Sequence, residues 1–295
     1  MAERDGECKA YNVETFSLLA SSARLSYPGA VMGVTTSAVE DLYYSEAAAP
    51  AIHVAGASVR RTLVVLPTFN EAGNLVALCE AILQDAPEVD ILIVDDNSPD
   101  GTGALAKRLQ AQCPGRVWAE VRETRSGRGD AVWYGLQFAR TRGYAFGMEM
   151  DADFSHHPQA ISQFLAAADD ADLVIGSRHL PGGGVVGWSW RRRAVHRLAS
   201  WFSDVVLGTP TTDHTNGFRL YRLSCLDSVA LNGVAVRGFV GQTLRAYLFH
   251  RRGHRIREVP VVFYERRYGA SKMSLREAID GVWTLLWYRL RHHRE

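Results

Sequence analysis

Short apolar runs of strand length alternate with helical stretches between residues 62 and 176, and this alternation limits the fold more than any other feature. The predicted strands cover 62–66, 90–94, 117–121, 144–150 and 172–176. The predicted helices cover 72–84, 102–112, 130–142 and 158–168. Strands and helices joined in this order by short links are typical of a largely parallel sheet with helices on its faces. The sequence therefore predicts an α/β fold that begins at Arg61.

Polar residues cluster directly after four of the predicted strands. The clusters are 67–71, 95–98, 151–153 and 177–178. Sites in open α/β sheets lie beyond the carboxyl ends of the strands. We therefore expect the four clusters to meet in one site.

The third cluster contains two carboxylates one residue apart, Asp151 and Asp153. Carboxylate oxygens suit Mg²⁺ or Mn²⁺, and both ions also take phosphate oxygens. Ser155 is placed to add a third metal contact through water. His156 and His157 are expected to form the following turn and to contact backbone or substrate, because neutral imidazole is a poor ligand for Mg²⁺.

The second cluster begins with Asp95, at the end of a predicted strand. A carboxylate at this position can accept hydrogen bonds from a base or from a ribose hydroxyl. Pro99-Asp100-Gly101 is typical of a turn, and Asp100 is predicted to cap the helix that follows.

Beyond residue 180 the chain predicts a flexible loop at 181–184, helices at 190–207, 239–251 and 275–290, and a strand at 255–263. The first and last of these helices mix aromatic residues and arginine at helical spacing. Such helices either pack against the core or lie in a membrane interface. The sequence leaves both alternatives open.

Composition excludes several classes of protein. The net charge is only +1, although residues 245–295 carry 12 basic and five acidic side chains, which suits an anionic ligand or surface rather than nucleic acid. The four cysteines lack paired spacing, which fits a reducing compartment. No signal peptide and no apolar run of about 18 residues is evident. We therefore expect a cytoplasmic protein that is soluble or peripheral to the membrane.

Several stretches together resemble the inverting family 2 glycosyltransferases with a GT-A fold, and more closely the polyprenol-phosphate (dolichol-phosphate) mannose synthases. The matching stretches are 66–71, 94–102, 150–158, 176–178, 182–188, Asp213 with 216–219, and 265–273. The resemblance implies that 59–295 form a GT-A catalytic domain with C-terminal amphipathic helices. Residues 1–58, which lack sustained periodicity, are expected to be a poorly ordered extension.

The resemblance also implies roles by position. Asp151, Asp153 and Arg178 would act in catalysis, and Asp151, Asp153 and Ser155 would hold Mg²⁺ or Mn²⁺. The nucleotide-sugar would contact a larger set, which comprises Pro67, Phe69, Glu71, Ile93, Asp95, Asp151, Ala152, Asp153, Arg178, Arg266 and Lys272.

The activity that this resemblance implies is transfer of a hexose, most simply mannose from GDP-mannose, to a polyprenyl monophosphate with inversion. The implied partners are the nucleotide-sugar, the lipid acceptor and a membrane surface, with a membrane protein as a further candidate partner. Two alternatives stay open, a UDP-sugar-dependent hexosyltransferase and a non-catalytic membrane-associated scaffold. A nucleotidyltransferase would need a glycine-rich loop after its first strand, and residues 67–71 do not form one.

The sequence departs from the family pattern in places. Leu244 stands where a glutamate is expected, although Phe239 and Gln242 match, and Phe69 replaces the commoner tyrosine. The segment 126–130 matches a glycine-rich loop only loosely. Glu149 places a charge on the strand before the two aspartates, and we expect it to face a polar surface.

Overall fold

The computed structural model describes residues 61–229, 240–265 and 275–291. Arg266, Lys272 and Phe239, as well as the predicted extension at 1–58, lie outside these ranges. The described strands are β1 (Thr62–Thr68), β2 (Val89–Asp95), β3 (Val117–Val121), β4 (Phe146–Glu149), β5 (Leu173–Ser177), β6 (Gly184–Val186), β7 (Arg219–Arg222), β8 (Ile256–Pro260) and β9 (Val262–Tyr264).

Seven of these strands form one sheet in the order β3-β2-β1-β4-β7-β5-β8. Strand β7 is antiparallel to both of its neighbours, and the other pairs in the sheet are parallel. β6 and β9 form a separate parallel pair. The predicted largely parallel sheet is therefore confirmed.

The described α-helices are α1 (Leu75–Asp85), α2 (Thr102–Gln112), α3 (Arg128–Thr141), α4 (Ile161–Ala167), α5 (Trp190–Leu207), α6 (Val240–Arg251) and α7 (Leu275–Arg291). Helix α3 packs closely on the sheet at Gly135, where an added Cβ would lie 2.3 Å from Cγ1 of Val65. Because β2 is buried along its whole length, its sequence is an almost unbroken apolar run.

One prediction about local structure is wrong, and others differ from the structure only in their bounds. The predicted strand at 255–263 is two strands in different sheets, because Val261 donates its N–H to Ser177 of β5 but accepts at its carbonyl from Gly184 of β6, so the chain passes from one sheet to the other. The predicted flexible loop contains the start of β6. The helix expected from Pro158 begins with a 3₁₀ turn, and its α-helical part starts at Ile161.

The fold brings the polar clusters to one edge. Strands β1, β2 and β4 are parallel neighbours, so their carboxyl ends lie side by side. Strand β7 runs antiparallel between β4 and β5, so β5 ends at the same edge and β7 begins there. The segment 211–218, which leads into β7, is therefore also brought to this edge.

Candidate active site

Asp151 and Asp153 follow β4 and differ in their exposure. Asp153 is buried, and its Oδ1 accepts a hydrogen bond from the backbone N–H of Ser155 at 3.1 Å. The side chain of Asp151 is 26% exposed. Phe154, directly after Asp153, has φ of +62°, a left-handed conformation that costs about 1–3 kcal/mol in a non-glycine residue. The turn that presents the carboxylates is thus held in place by its surroundings.

The donor set at this turn fits a hard divalent cation. The ranges that the structure covers contain no group of three or more His, Cys, Asp and Glu side chains suited to a metal. A site here would therefore use two carboxylates and a third, neutral oxygen. The hydroxyl of Ser155 is buried and has no hydrogen-bond partner among the described residues. A buried oxygen without a partner two residues from Asp153 is an appropriate third donor.

His156 fixes the backbone of Asp151. Its Nδ1 accepts from the N–H of Asp151 at 3.1 Å, so Nε2 carries the proton and donates to Oδ1 of Asn216 at 2.9 Å. The ring stacks on Phe218, with 4.7 Å between centroids. Burial lowers the pKa of His156, which keeps the imidazole neutral. The expected backbone contacts are present in both histidines, since Nδ1 of His157 accepts from the N–H of Gln159.

Arg128, at the start of α3, contacts the first carboxylate of the pair. Its Nε and Nη2 donate to Oδ1 of Asp151 at 2.8 and 2.5 Å, and its Nη1 donates to Oε1 of Glu149 at 2.5 Å. Burial lowers the pKa of Arg128, but the charges of the two carboxylates outweigh burial and raise this pKa above its ordinary value. Arg128 is therefore a permanent cation beside Asp151.

The prediction that Glu149 faces a polar surface is wrong. Its side chain is fully buried, and it also accepts hydrogen bonds from Nε2 of Gln242 at 2.6 Å and from the hydroxyl of Tyr221 at 3.2 Å. Leu244, which stands where a glutamate was expected, is buried in the apolar core. In this chain the carboxylate that bonds to helix α6 thus comes from strand β4.

Sequence reasoning also missed Asp96, which positions the loop before Arg128. Its two carboxylate oxygens accept from the backbone N–H groups of Ser126 and Gly127 at 3.0 and 2.7 Å. The only signals in the sequence were the pair Asp95-Asp96 and the loose glycine-rich match at 126–130.

Asp95 ends strand β2, which lies on the opposite side of β4 from β5, in the region predicted to bind the nucleotide. It is buried and accepts from Oγ1 of Thr68 at 2.8 Å and from the N–H and hydroxyl of Ser98 at 2.9 and 2.6 Å. The guanidinium of Arg125 stacks on the ring of Phe69 at 3.8 Å. These contacts give the region a polar edge beside a planar cation–aromatic surface.

The other predicted nucleotide contacts lie around these residues. Pro67 is partly exposed near the end of β1, whereas Ile93 is fully buried in β2 and Ala152 is buried between the two aspartates. Glu71 accepts from Nδ2 of Asn74. The residue at the N-cap of α2 is Gly101 rather than the predicted Asp100, which instead lies one residue earlier and accepts from the N–H and hydroxyl of Thr102 at 3.0 and 2.6 Å.

Arg178, directly after β5, forms a buried ion pair. Its Nε and Nη2 each donate to a different oxygen of Asp213 at 2.7 Å, and the two side chains are only 4% and 0% exposed. Burial raises the pKa of Asp213, but the hydrogen bonds and charge of Arg178 outweigh burial and hold this pKa well below its usual range. Nη2 also donates to Oγ1 of Thr215. The guanidinium therefore has a fixed orientation.

A cavity of about 260 Å³ lies beside Arg178. Its lining is rich in cationic and polar side chains, and comprises Arg178, His179, Trp188, Arg193, His196 and Arg197 together with residues 183–185. Three polar atoms of this lining are buried and have no hydrogen-bond partner within the part of the chain that the structure describes: Nε2 of His179, Nε1 of Trp188 and Nδ1 of His196. Burial lowers the pKa of both histidines, that of His196 to about 4. The positive charge of this cationic cavity therefore comes from its arginines at neutral pH.

The ring of Phe263 lies between the cationic cavity and His156, the residue that fixes the backbone of Asp151. Its centroid lies 5.6 Å from that of His156 and 5.2 Å from that of Trp188. The guanidinium of Arg178 also lies over this ring, at 5.5 Å. The rings of Phe263 and His156 thus lie between the cationic cavity and the backbone of Asp151.

The fold and this edge define a class of protein, and comparison with known families identifies it. The sequence model of the family described as glycosyl transferase family 2 matches residues 63–229, and the chain belongs to that family.

Relatives in this family share a large part of the sequence. The chain is 42% identical over 227 residues to a Mycolicibacterium smegmatis protein named polyprenol monophosphomannose synthase, with 76% of this chain and 86% of the relative covered. It is 40% identical over 238 residues to a Micrococcus luteus protein named undecaprenyl-phosphate mannosyltransferase, with 78% and 98% covered.

Solved structures of a more distant enzyme share the fold. Glucosyl-3-phosphoglycerate synthase from Mycobacterium tuberculosis, in complex with phosphoglyceric acid, superposes with a TM-score of 0.56 at 20% identity, over 80% of this chain and 85% of that one. The same enzyme in complex with Mn²⁺, UDP and glucosyl-3-phosphoglycerate gives 0.55 at 19% identity, over 80% and 86%. At this identity the likeness shows the fold alone, and the predicted GT-A fold is confirmed.

Replacing Asp213 by asparagine should destabilise the protein strongly. The change leaves the buried guanidinium of Arg178 without its counter-charge, which costs about 3 kcal/mol in the free energy of unfolding. Because folding lowers the pKa of Asp213, its contribution is present above the unfolded-state pKa and is lost as the pH falls toward the folded-state pKa. The difference between wild type and variant should therefore be larger at neutral pH than near pH 3.

Urea unfolding at both pH values measures this difference. The matched control is Asp227→Asn, since Asp227 pairs with Arg140 at the surface and is 80% exposed. That change should cost less than about 1 kcal/mol. Equal costs for the two variants at neutral pH would contradict the assignment of Asp213 as the buried counter-ion of Arg178.

Proposed function

We propose that this protein transfers mannose from GDP-mannose to a polyprenyl monophosphate, with inversion at the anomeric carbon. The observation that carries the proposal is the contact of Phe263 with both Trp188 of the cationic cavity and His156, which fixes the backbone of Asp151. One part of the edge suits a metal and a diphosphate, and the other suits a second phosphate. The names of the two relatives, which specify polyprenol-phosphate and undecaprenyl-phosphate mannose transfer, support this choice of sugar and acceptor.

The donor is proposed to bind with its diphosphate at the aspartates. Asp151, Asp153 and Ser155 would hold Mg²⁺ or Mn²⁺, which supplies electrostatic stabilisation of the negative charge on the departing diphosphate. The nucleotide would extend toward Asp95, in contact with the set Pro67, Phe69, Glu71, Ile93 and Ala152. Arg266 and Lys272 are proposed as further phosphate contacts and lie outside the described residues.

The acceptor phosphate is proposed to bind in the cationic cavity. Arg178, held by Asp213, would present its guanidinium to this phosphate, and Arg193 and Arg197 would add positive charge. The N–H groups of Trp188 and of the neutral histidines are donors of the kind that phosphate oxygens accept. These groups are buried and have no partner in residues 61–229, 240–265 and 275–291, and such donors suit an anion as their partner.

The reaction needs little proton transfer. A phosphate monoester has a second pKa near 6, so at neutral pH the acceptor is largely a dianion and requires no strong general base. One of its oxygens forms a bond to the anomeric carbon while the bond from that carbon to the donor diphosphate breaks. The electron pair leaves with GDP. Attack from the face opposite the leaving group inverts the configuration.

Helix α5 exposes an unusual apolar face. Large apolar side chains point to solvent, with Trp190 70% and Trp201 61% exposed, while Ser200 and Ser203 are buried. A helix that packs only for stability has the opposite arrangement. Further exposed apolar residues on this helix are Val195, Leu198 and Val205.

Helix α7 contacts α5 and adds Trp283, Trp287 and Leu290 to the exposed apolar residues. None of the helices that the structure describes is long and apolar enough to cross a bilayer. We therefore assign the two exposed faces to peripheral binding at the cytoplasmic surface of an anionic membrane. Exposed arginines at the start of α5 supply the complementary charge. A bound membrane would bring the lipid phosphate to the cationic cavity, which α5 itself lines.

Transfer is tested with radiolabelled GDP-mannose, Mg²⁺ or Mn²⁺ and a short polyprenyl phosphate. Wild type should form labelled lipid whose mannose has inverted configuration, and Asp153→Asn should lose at least about a hundredfold in rate because it removes a ligand of the metal. The matched control is Asp169→Asn, at an exposed position away from the edge. Transfer from a UDP-sugar but not from GDP-mannose would replace the donor, and a retained configuration would refute direct attack by the phosphate.

Membrane binding is tested by co-sedimentation with vesicles that contain phosphatidylglycerol. Replacing both Leu198 and Trp201 by alanine should weaken binding by at least about tenfold, because two large apolar side chains are removed from the contact with lipid. Tyr134→Ala is the control, since Tyr134 is 42% exposed on α3. Equal binding by the double variant and wild type would refute the assignment of this face.

A further inference from the structure

At the proposed metal site, Arg128 donates hydrogen bonds to a carboxylate oxygen that would otherwise face the cation. Its Nε and Nη2 converge on one oxygen of Asp151. A guanidinium at this distance repels a divalent cation and uses lone pairs that would otherwise be open to it. The same cation would attract the diphosphate of a donor, since arginine pairs strongly with phosphate oxygens.

Arg128 is held in this position from the protein interior. Its partner Glu149 is fully buried and is itself fixed by Gln242 and Tyr221. Moving the guanidinium away would leave a buried carboxylate without its counter-ion, which is strongly unfavourable. Space for the guanidinium depends on Gly217, because a Cβ there would lie 2.4 Å from Nη2.

We infer that Arg128 is a fixed counter-ion of Asp151 that makes tight binding of the divalent cation depend on the donor. Without a nucleotide, its charge weakens cation binding at Asp151 and Asp153. When the diphosphate binds, its negative charge offsets the guanidinium and adds ligands for the cation. The inference rests on the proposed function in taking these two aspartates as the cation ligands. Arg128 is a positioning residue in this account, because it acts through Asp151.

The test measures Mn²⁺ binding to the full chain by electron paramagnetic resonance, with and without GDP. Wild type should bind Mn²⁺ weakly alone and at least about tenfold more tightly with GDP, a range usual for coupled sites. Arg128→Met should bind Mn²⁺ alone about tenfold more tightly than wild type and gain less from GDP.

Two further variants make the result specific. Because Arg128→Met alone leaves Glu149 buried without a cation, the double variant Arg128→Met/Glu149→Gln removes both charges, and it should still bind Mn²⁺ alone more tightly than wild type. The matched control is Arg116→Met. Arg116 also pairs with a carboxylate, Asp90, at 2.8 Å, but that carboxylate lies near the opposite end of β2. This control should leave Mn²⁺ binding unchanged.

The outcomes separate this inference from the proposed function. Mn²⁺ binding that both Arg128 variants leave unchanged or weaken, with wild-type circular dichroism, would overturn the inference. An absence of saturable Mn²⁺ binding in every protein would overturn it together with the metal site. Mannose transfer could fail while Mn²⁺ binds with the predicted affinities and Asp153→Asn loses this binding. That result would overturn the proposed function alone.

Discussion

The side chain of Asn216 joins the two parts of the active-site edge. Its Nδ2 donates to the carbonyl of Gly176 at 2.7 Å, next to the strand end that presents Arg178. Its Oδ1 accepts from His156, whose other nitrogen accepts from the N–H of Asp151. The positions of the carboxylates and of the cationic cavity therefore depend on one amide. A transfer reaction between two anionic ligands needs this kind of fixed separation, because misplacement of reacting groups is costly in rate.

Pairs of opposite charges fix the positions of the arginines along this edge. Arg178 with Asp213 and Arg128 with Glu149 and Asp151 place cations against carboxylates that are buried or partly buried. Such pairs contribute little net stability, but removing one member leaves an uncompensated charge. Their value here is orientation, since each arginine is held where it faces a proposed anionic ligand. In the same way Arg219 is fully buried, and its donors satisfy the carbonyls of His214, Asn216 and Gln242 in the segments around the site.

The strand-end clusters were predictable because a parallel sheet brings carboxyl ends together whatever the details of packing. Strand β7 was not predictable in this way, since its sequence Arg-Leu-Tyr-Arg is short and its first arginine is buried through hydrogen bonds to carbonyls of the preceding segment and of helix α6. The burial of Glu149 was missed for a similar reason. Its partners Arg128, Tyr221 and Gln242 come from three elements far apart in sequence, and a local pattern contains no information about them. The cationic cavity likewise depends on the packing of α5 over the loop after β5.

The proposed transfer requires that the cationic cavity is the acceptor-phosphate site, and a kinetic comparison of Arg193→Gln with wild type tests this directly. Michaelis constants are measured for polyprenyl phosphate at saturating GDP-mannose and for GDP-mannose at saturating acceptor. Loss of one charged contact to phosphate should raise the KM for polyprenyl phosphate about tenfold. The KM for GDP-mannose should stay within about twofold of wild type. The control is Arg108→Gln, at an exposed position on α2, and it should leave both Michaelis constants within about twofold of wild type. A rise confined to the KM for GDP-mannose, or no change in either constant, would contradict the account.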